Sequence, residues 1–191
     1  MNLQLVVIAF FAFGAAAASA QVTTSDTAYQ HGMQAYEQGH YAEAETFFRD
    51  ALDQAKEFGE IDPRFESALK SLAAVLESER SYTEAGSFYQ HALALEEQTL
   101  GPEHPELARL LNNLGTIRER EGNYSQAEPL YKRALTIWEK APEANHRGLA
   151  ITLCNLAHMY HVQGGIAPRR ICCFWRAECK TELCPSFQRL V

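Results

Sequence analysis

The sequence predicts an all-α protein, a stack of antiparallel helix pairs, and two repeated features carry that expectation. A short block returns every 41 to 42 residues, as Tyr41–Ala42–Glu43–Ala44, Tyr82–Thr83–Glu84–Ala85 and Tyr124–Ser125–Gln126–Ala127. Seven residues past the last alanine of each block comes a second pair, Ala51–Leu52, Ala92–Leu93 and Ala134–Leu135. Residues seven apart share a helical face, and a fixed period of this length marks a unit that cannot bury its apolar face alone. Composition agrees: 47% hydrophobic and 21% charged residues suit a globular chain, and 191 residues suit three to four such units. A net charge of −7 argues against nucleic acid as partner, because phosphate binding needs clustered Lys and Arg.

The elements follow in order. Residues 1–20 contain no charged side chain; Leu5 to Phe13 is an apolar run and Ala18–Ser19–Ala20 is an A-x-A site before Gln21. This reads as a signal peptide, too short for a membrane span, and places the chain outside the cytoplasm, periplasmic or secreted. The leading Met1–Asn2–Leu3–Gln4 lacks Lys and Arg, so an uncleaved N-terminal anchor is the alternative. A short linker, 21–27, precedes the first repeat, 28–61, with Gly32, Gly39, Phe47, Phe48, Ala51 and Leu52 at the repeating positions.

In the second repeat, 62–104, Asp62 before Pro63 predicts an N-cap with proline at the first helical position. Leu69, Leu72 and Leu76 stripe its first helix; Ala85, Phe88, Tyr89, Ala92 and Leu93 stripe its second. The third repeat, 105–145, is the clearest: Leu107, Leu110, Leu111, Leu114 and Ile117, a stop at Gly122–Asn123, then Ala127, Leu130, Tyr131, Ala134, Leu135 and Trp138. Pro129 is expected in or near the first turn of that second helix.

A partial fourth repeat, 146–164, begins with Leu149, Ile151, Leu153, Leu156, Ala157 and Tyr160, and Gly164 falls 42 residues after Gly122. The period then breaks. Residues 165–191 carry five basic and two acidic side chains and four cysteines, Cys172, Cys173, Cys179 and Cys184. Three readings stay open for this tail: a frame-shifted or truncated end, a divergent cap, or a metal knuckle, whose usual C-x2–4-C pairing the cysteine spacing does not match.

Leu111, Leu114, Gly115, Gly122, Tyr124, Ala127, Tyr131 and Ala134 resemble the tetratricopeptide repeat over roughly residues 28–164. The longer period, Leu111–Asn112–Asn113–Leu114 and Leu100–Gly101–Pro102–Glu103–His104–Pro105 look like the kinesin-light-chain type. The resemblance implies a right-handed α-solenoid acting as a protein–protein interaction scaffold, with a peptide or protein partner held in a concave groove lined by first helices.

On that frame the groove-facing positions are Tyr29, Met33 and Tyr36; Lys70, Ala74 and Glu77; Asn112, Thr116 and Glu119; and Cys154, His158 and His161. Asn112 and Asn113 are the residues expected to meet a peptide backbone, since a carboxamide both donates and accepts. The alternative is a solvated, empty face. The Lys/Arg/Asn set by which some family members clamp a terminal carboxylate is not reproduced.

Cys154, His158 and His161 share one helical face at spacings of four and three, which raises a metal-responsive role as a rival reading. A further rival is an assembly subunit of an envelope complex that binds by its convex face. No G-x-S-x-G, H-E-x-x-H or phosphate-binding glycine loop is present, so no catalysis and no cofactor are expected. Glu43, Glu45, Glu84, Glu119, Glu121 and Glu128 read as solvated helix surface or helix ends. Partner identity and oligomeric state are not written in these residues.

Overall fold

The computed structural model describes residues 25–141 and 146–164. Among these residues there are seven helices and no strand: α1 (25–37), α2 (Tyr41–Lys56), α3 (Pro63–Ser78), α4 (Tyr82–Leu100), α5 (Pro105–Arg120), α6 (Tyr124–Lys140) and α7 (His146–Val162). The predicted signal peptide and the Cys/Arg-containing tail lie outside the described residues. Helix α1 already runs at residue 25, inside the stretch read as linker, because Ser25 is buried with its hydroxyl 3.5 Å from the Ala51 carbonyl.

The chain divides into two compact units, one ending at Ser81 and one beginning at Tyr82. In the first, Phe48 of α2 lies against Gly32 of α1 so closely that a Cβ there would come within 2.8 Å of the ring. Phe65, Leu69, Leu72 and Leu76 of α3 are fully or almost fully buried. As expected, Asp62 caps α3 with Pro63 at its first position; its carboxylate accepts from the Arg64 N–H at 2.9 Å and binds the guanidinium on both oxygens. That guanidinium also lies 3.9 Å above the Phe58 ring.

In the second unit α5 packs against α4, α6 and α7. Leu107, Ala108 and Leu111 of α5 meet Ala134, Ile137 and Trp138 of α6 in one apolar cluster. A second cluster joins Ala127 and Tyr131 of α6 to Leu156, Ala157 and Met159 of α7. Burying each large aliphatic side chain contributes about 1.5–3 kcal/mol, so packing rather than propensity holds these three helices. Gly115 plays the part of Gly32: a Cβ there would lie 2.7 Å from the Tyr131 ring.

The glycine stop after α5 is as expected, with Gly122 at φ 78° and its N–H bonded to the Glu119 carbonyl. Pro129 departs from expectation. It lies inside α6, five residues past Tyr124, where it removes one helical hydrogen bond, yet the helix continues to Lys140. The apolar stripe of α6, buried along its length, outweighs that loss.

Candidate functional site

The first helices of the second unit carry a set of linked polar groups. Asn112, Thr116 and Glu119 recur at intervals of four and three on α5, so they share one face. Asn155 and His158 do the same on α7. Asn155 Nδ2 donates to Asn112 Oδ1 at 3.1 Å and lies 3.5 Å from the Thr116 hydroxyl. One turn along, His158 Nδ1 lies 2.7 Å from Glu119 Oε1.

Proton placement in this ladder follows from what each group can do. A carboxylate only accepts, so His158 carries its proton on Nδ1, and the Tyr131 phenol donates to Glu119 Oε2 at 2.8 Å. The phenol oxygen is also 3.2 Å from the Thr116 hydroxyl. Burial and the neighbouring Glu119 charge push the Tyr131 phenol well above the usual tyrosine range, so it stays a donor. Glu119 is therefore held from both sides, its side chain 12% exposed, while the His158 ring is 37% exposed.

These positions correct several expectations. Cys154 is 5% exposed and belongs to the core of α7 rather than to an open face. His161 is exposed at the end of α7, and His158 is engaged by Glu119. Among the described residues no group of three His, Cys, Asp or Glu side chains is placed to hold a metal ion, Cys154, His158 and His161 included. Asn112 is only 8% exposed, with its carbonyl oxygen occupied by Asn155; Asn113 is half-buried beside it.

Nor are all the acidic residues solvated surface. Glu119 sits in the ladder, and the Glu121 side chain binds Arg118 at 2.7 Å. Burial alone would raise the Glu121 carboxyl, but the Arg118 guanidinium outweighs it and holds the group below its ordinary range. Glu128 accepts from Lys132 and from the Tyr160 hydroxyl, at 2.7 and 2.6 Å, and these bonds lower its carboxyl likewise.

The first unit has its own counterpart face. The Tyr29 hydroxyl lies 3.1 Å from the Ser71 hydroxyl, joining α1 to α3, and its ring packs 5.5 Å from that of Phe48. Tyr36 packs against Tyr41, Lys70 is ion-paired with Glu66, and Met33 and Glu77 are half-buried. A cleft of about 220 Å³ opens between Tyr29, Ala51, Pro63 and Ser67.

Sequence reasoning missed Asn155 and the Tyr131 hydroxyl. Asn155 stands 42 residues after Asn113, so the period itself could have found it. Tyr131 reads as a space-filling ring, and nothing in one sequence separates a buried phenol that bonds from a phenylalanine that only packs.

The repeated helix pairs, an aromatic on the second helix against a small residue on the first, define a helical-repeat scaffold. A tetratricopeptide repeat model matches residues 64–140 and 106–166, together more than half of the chain. The chain belongs to the tetratricopeptide repeat family, whose members bind protein or peptide partners.

Among solved structures it is similar to BtubC (BKLC) from P. vanneervenii, with a TM-score of 0.73 and 22% identity over 82% of this chain and 65% of that one. A putative kinesin light chain from Podosopora anserina gives 0.64 and 20% identity over 73% of this chain and 66% of that one. The N-terminal domain of stress-induced protein-1 from C. elegans gives 0.52 and 17%, over 69% and 97%. At these identities the likeness is one of fold, and the chain spans just under two thirds of the length of the first two. None of the curated proteins matches the sequence. No helix among the described residues is long and apolar enough to cross a membrane.

Proposed function

We propose that this chain is a non-catalytic interaction scaffold whose α5–α7 face binds an extended peptide or protein segment. The observation that carries this reading is the ladder from Asn112 and Asn155 to Glu119 and His158. It sets carboxamide, hydroxyl, carboxylate and imidazole groups in fixed positions on two packed helices. A preorganised polar face loses little side-chain entropy when a ligand docks, and Asn113 beside it offers a donor and an acceptor to a backbone. The exported location belongs to the same proposal and rests on the apolar segment and A-x-A site before Gln21.

A random 12-residue peptide library panned against the full chain tests this reading. Selected peptides are expected to lose at least tenfold in affinity for the Asn112→Ala/Asn155→Ala protein and to keep it for Lys132→Ala on α6. Affinity that ignores the double substitution but falls with Lys132→Ala would instead favour binding through the outer helices, as an assembly subunit would. Selection of no peptide at all would count against the reading outright.

A further inference from the structure

At one end of the ladder, α5, the end of α6 and the first turns of α7 line a cleft of about 260 Å³. Trp138 and Ile151 supply its apolar wall, Asn112 and Asn113 two carboxamides, and Arg109 and Arg147 two guanidinium groups. Among the described residues no acidic side chain lines it. The space is smaller than the pockets of about 300–1,000 Å³ that enclose whole small-molecule ligands, and suits one side chain of a larger partner.

Three of these side chains have donors to spare. Arg147 is exposed and makes no hydrogen bond or ion pair among the described residues. It stands where the two preceding first helices carry Pro105 and Pro63, so its charge is a departure of this chain from its own repeat. The Asn112 side chain has Oδ1 occupied by Asn155, while its Nδ2 has no partner among the described residues. That nitrogen is not sealed in, as Trp138 Nε1 is, so the slight exposure of Asn112 opens on the cleft it lines. The half-buried Asn113 carboxamide, on the same margin, is likewise without a partner among the described residues. The other polar groups are spent: Arg109 pairs with Glu106 at 2.7 Å, and the Thr152 hydroxyl donates to the Gly148 carbonyl at 2.9 Å. Trp138 contributes apolar surface alone.

We infer that this cleft is a subsite for the side-chain carboxylate of a glutamate in the partner segment. The carboxylate accepts from Asn112 Nδ2 and Asn113 Nδ2 and pairs with the Arg147 guanidinium, while its two methylenes lie along Trp138 and Ile151. The inference rests on the reading of α5 and α7 as the peptide-binding face. Charge selects the ligand. With Arg109 neutralised by Glu106, Arg147 leaves the cleft one uncompensated positive charge, in a chain whose net charge is −7. A lysine or arginine meets like charge there, and a glutamine leaves that charge unanswered. Hydrogen bonds between ionised partners are roughly twice as strong as neutral ones, and the exposed Arg147 gives up little hydration to form them. The first turn of α7 adds the positive end of a helix dipole on the same side. An aspartate carries the same charge on a stem one methylene shorter, and covers less of the apolar wall.

The test follows the side-chain amide resonances of Asn112 and Asn113 in the ¹³C,¹⁵N-labelled full chain. The probes are N-acetyl-glutamate methylamide, its glutamine and aspartate counterparts, and N-acetyl-leucine with its terminal carboxylate free. The glutamate probe is expected to give a saturable shift of both amides, at least fivefold tighter than any other probe. Arg147→Gln, which changes an exposed residue, is expected to cancel the preference over glutamine, and Lys132→Gln on α6 to leave it intact. No saturable shift, equal or tighter binding of another probe, or a glutamate preference that survives Arg147→Gln would overturn the inference. Ladder-dependent peptides alongside amides silent to the glutamate probe remove only the subsite. A saturable glutamate response with no peptide ever selected keeps the subsite and removes the ladder reading.

Discussion

Arg80 holds φ 64° at the point where the first and third repeats carry Gly39 and Gly122, both at φ 78°. The turn after each first helix needs a left-handed residue, and a side chain with a Cβ pays about 1–2 kcal/mol to adopt it. Arg80→Gly is expected to raise the unfolding free energy by about 0.5–1 kcal/mol, after allowing for the greater freedom of glycine in the unfolded chain. Chemical denaturation checks this, and a loss of stability would show that Arg80 makes a compensating contact. Gly115→Ala works in the opposite sense. Its Cβ would stand 2.7 Å from the Tyr131 ring, so the ring must shift and disturb its bond to Glu119. A loss of about 1–3 kcal/mol is expected in the same assay, typical of overpacking in a close-packed interior.

Among the helices, the contact between α2 and α3 brings Glu45 close to Glu79. Burial, and then the Glu45 charge, raise the Glu79 carboxyl above its ordinary value. The folded state therefore binds that proton more tightly than the unfolded chain does. The stabilising contribution is complete below the unfolded carboxylate range and fades as pH rises through the folded value. Glu79→Gln is expected to raise the melting temperature at pH 7 and to leave it nearly unchanged near pH 3.5; an equal shift at both would refute the coupling.

Helix existence and order were legible from spacing, because Ala127 and Ala134, Leu107 and Leu111, and the Asp62–Pro63 cap state local rules that packing here obeys. Two things were not. Pro129 could be placed correctly only by knowing that burial along α6 overrides a lost hydrogen bond. Cys154 passed for a groove residue because a 42-residue offset gives a register, while its burial at 5% depends on what α7 packs against. The ladder was half legible: Asn112, Thr116, Glu119 and His158 were named from the repeat, but the bonds that tie them together involve Asn155 and a phenol read as packing.

For the molecule as a whole, export is a proposal with a simple readout. Expressed in a bacterium with an outer membrane, the chain is expected to yield a mature product beginning at Gln21, by N-terminal sequencing and intact mass. A product that retains the apolar segment and fractionates with membranes would support the uncleaved anchor instead. The central claim is that the ladder face of the tetratricopeptide units holds the partner, and hydrogen–deuterium exchange with and without a selected peptide measures it most directly. Ligand binding suppresses local opening of the helices it contacts. Slowed exchange is expected in α5 and α7, over Pro105–Arg120 and His146–Val162, with α6 less affected. Protection concentrated in α4 and α6, with α5 and α7 unchanged, would contradict the account.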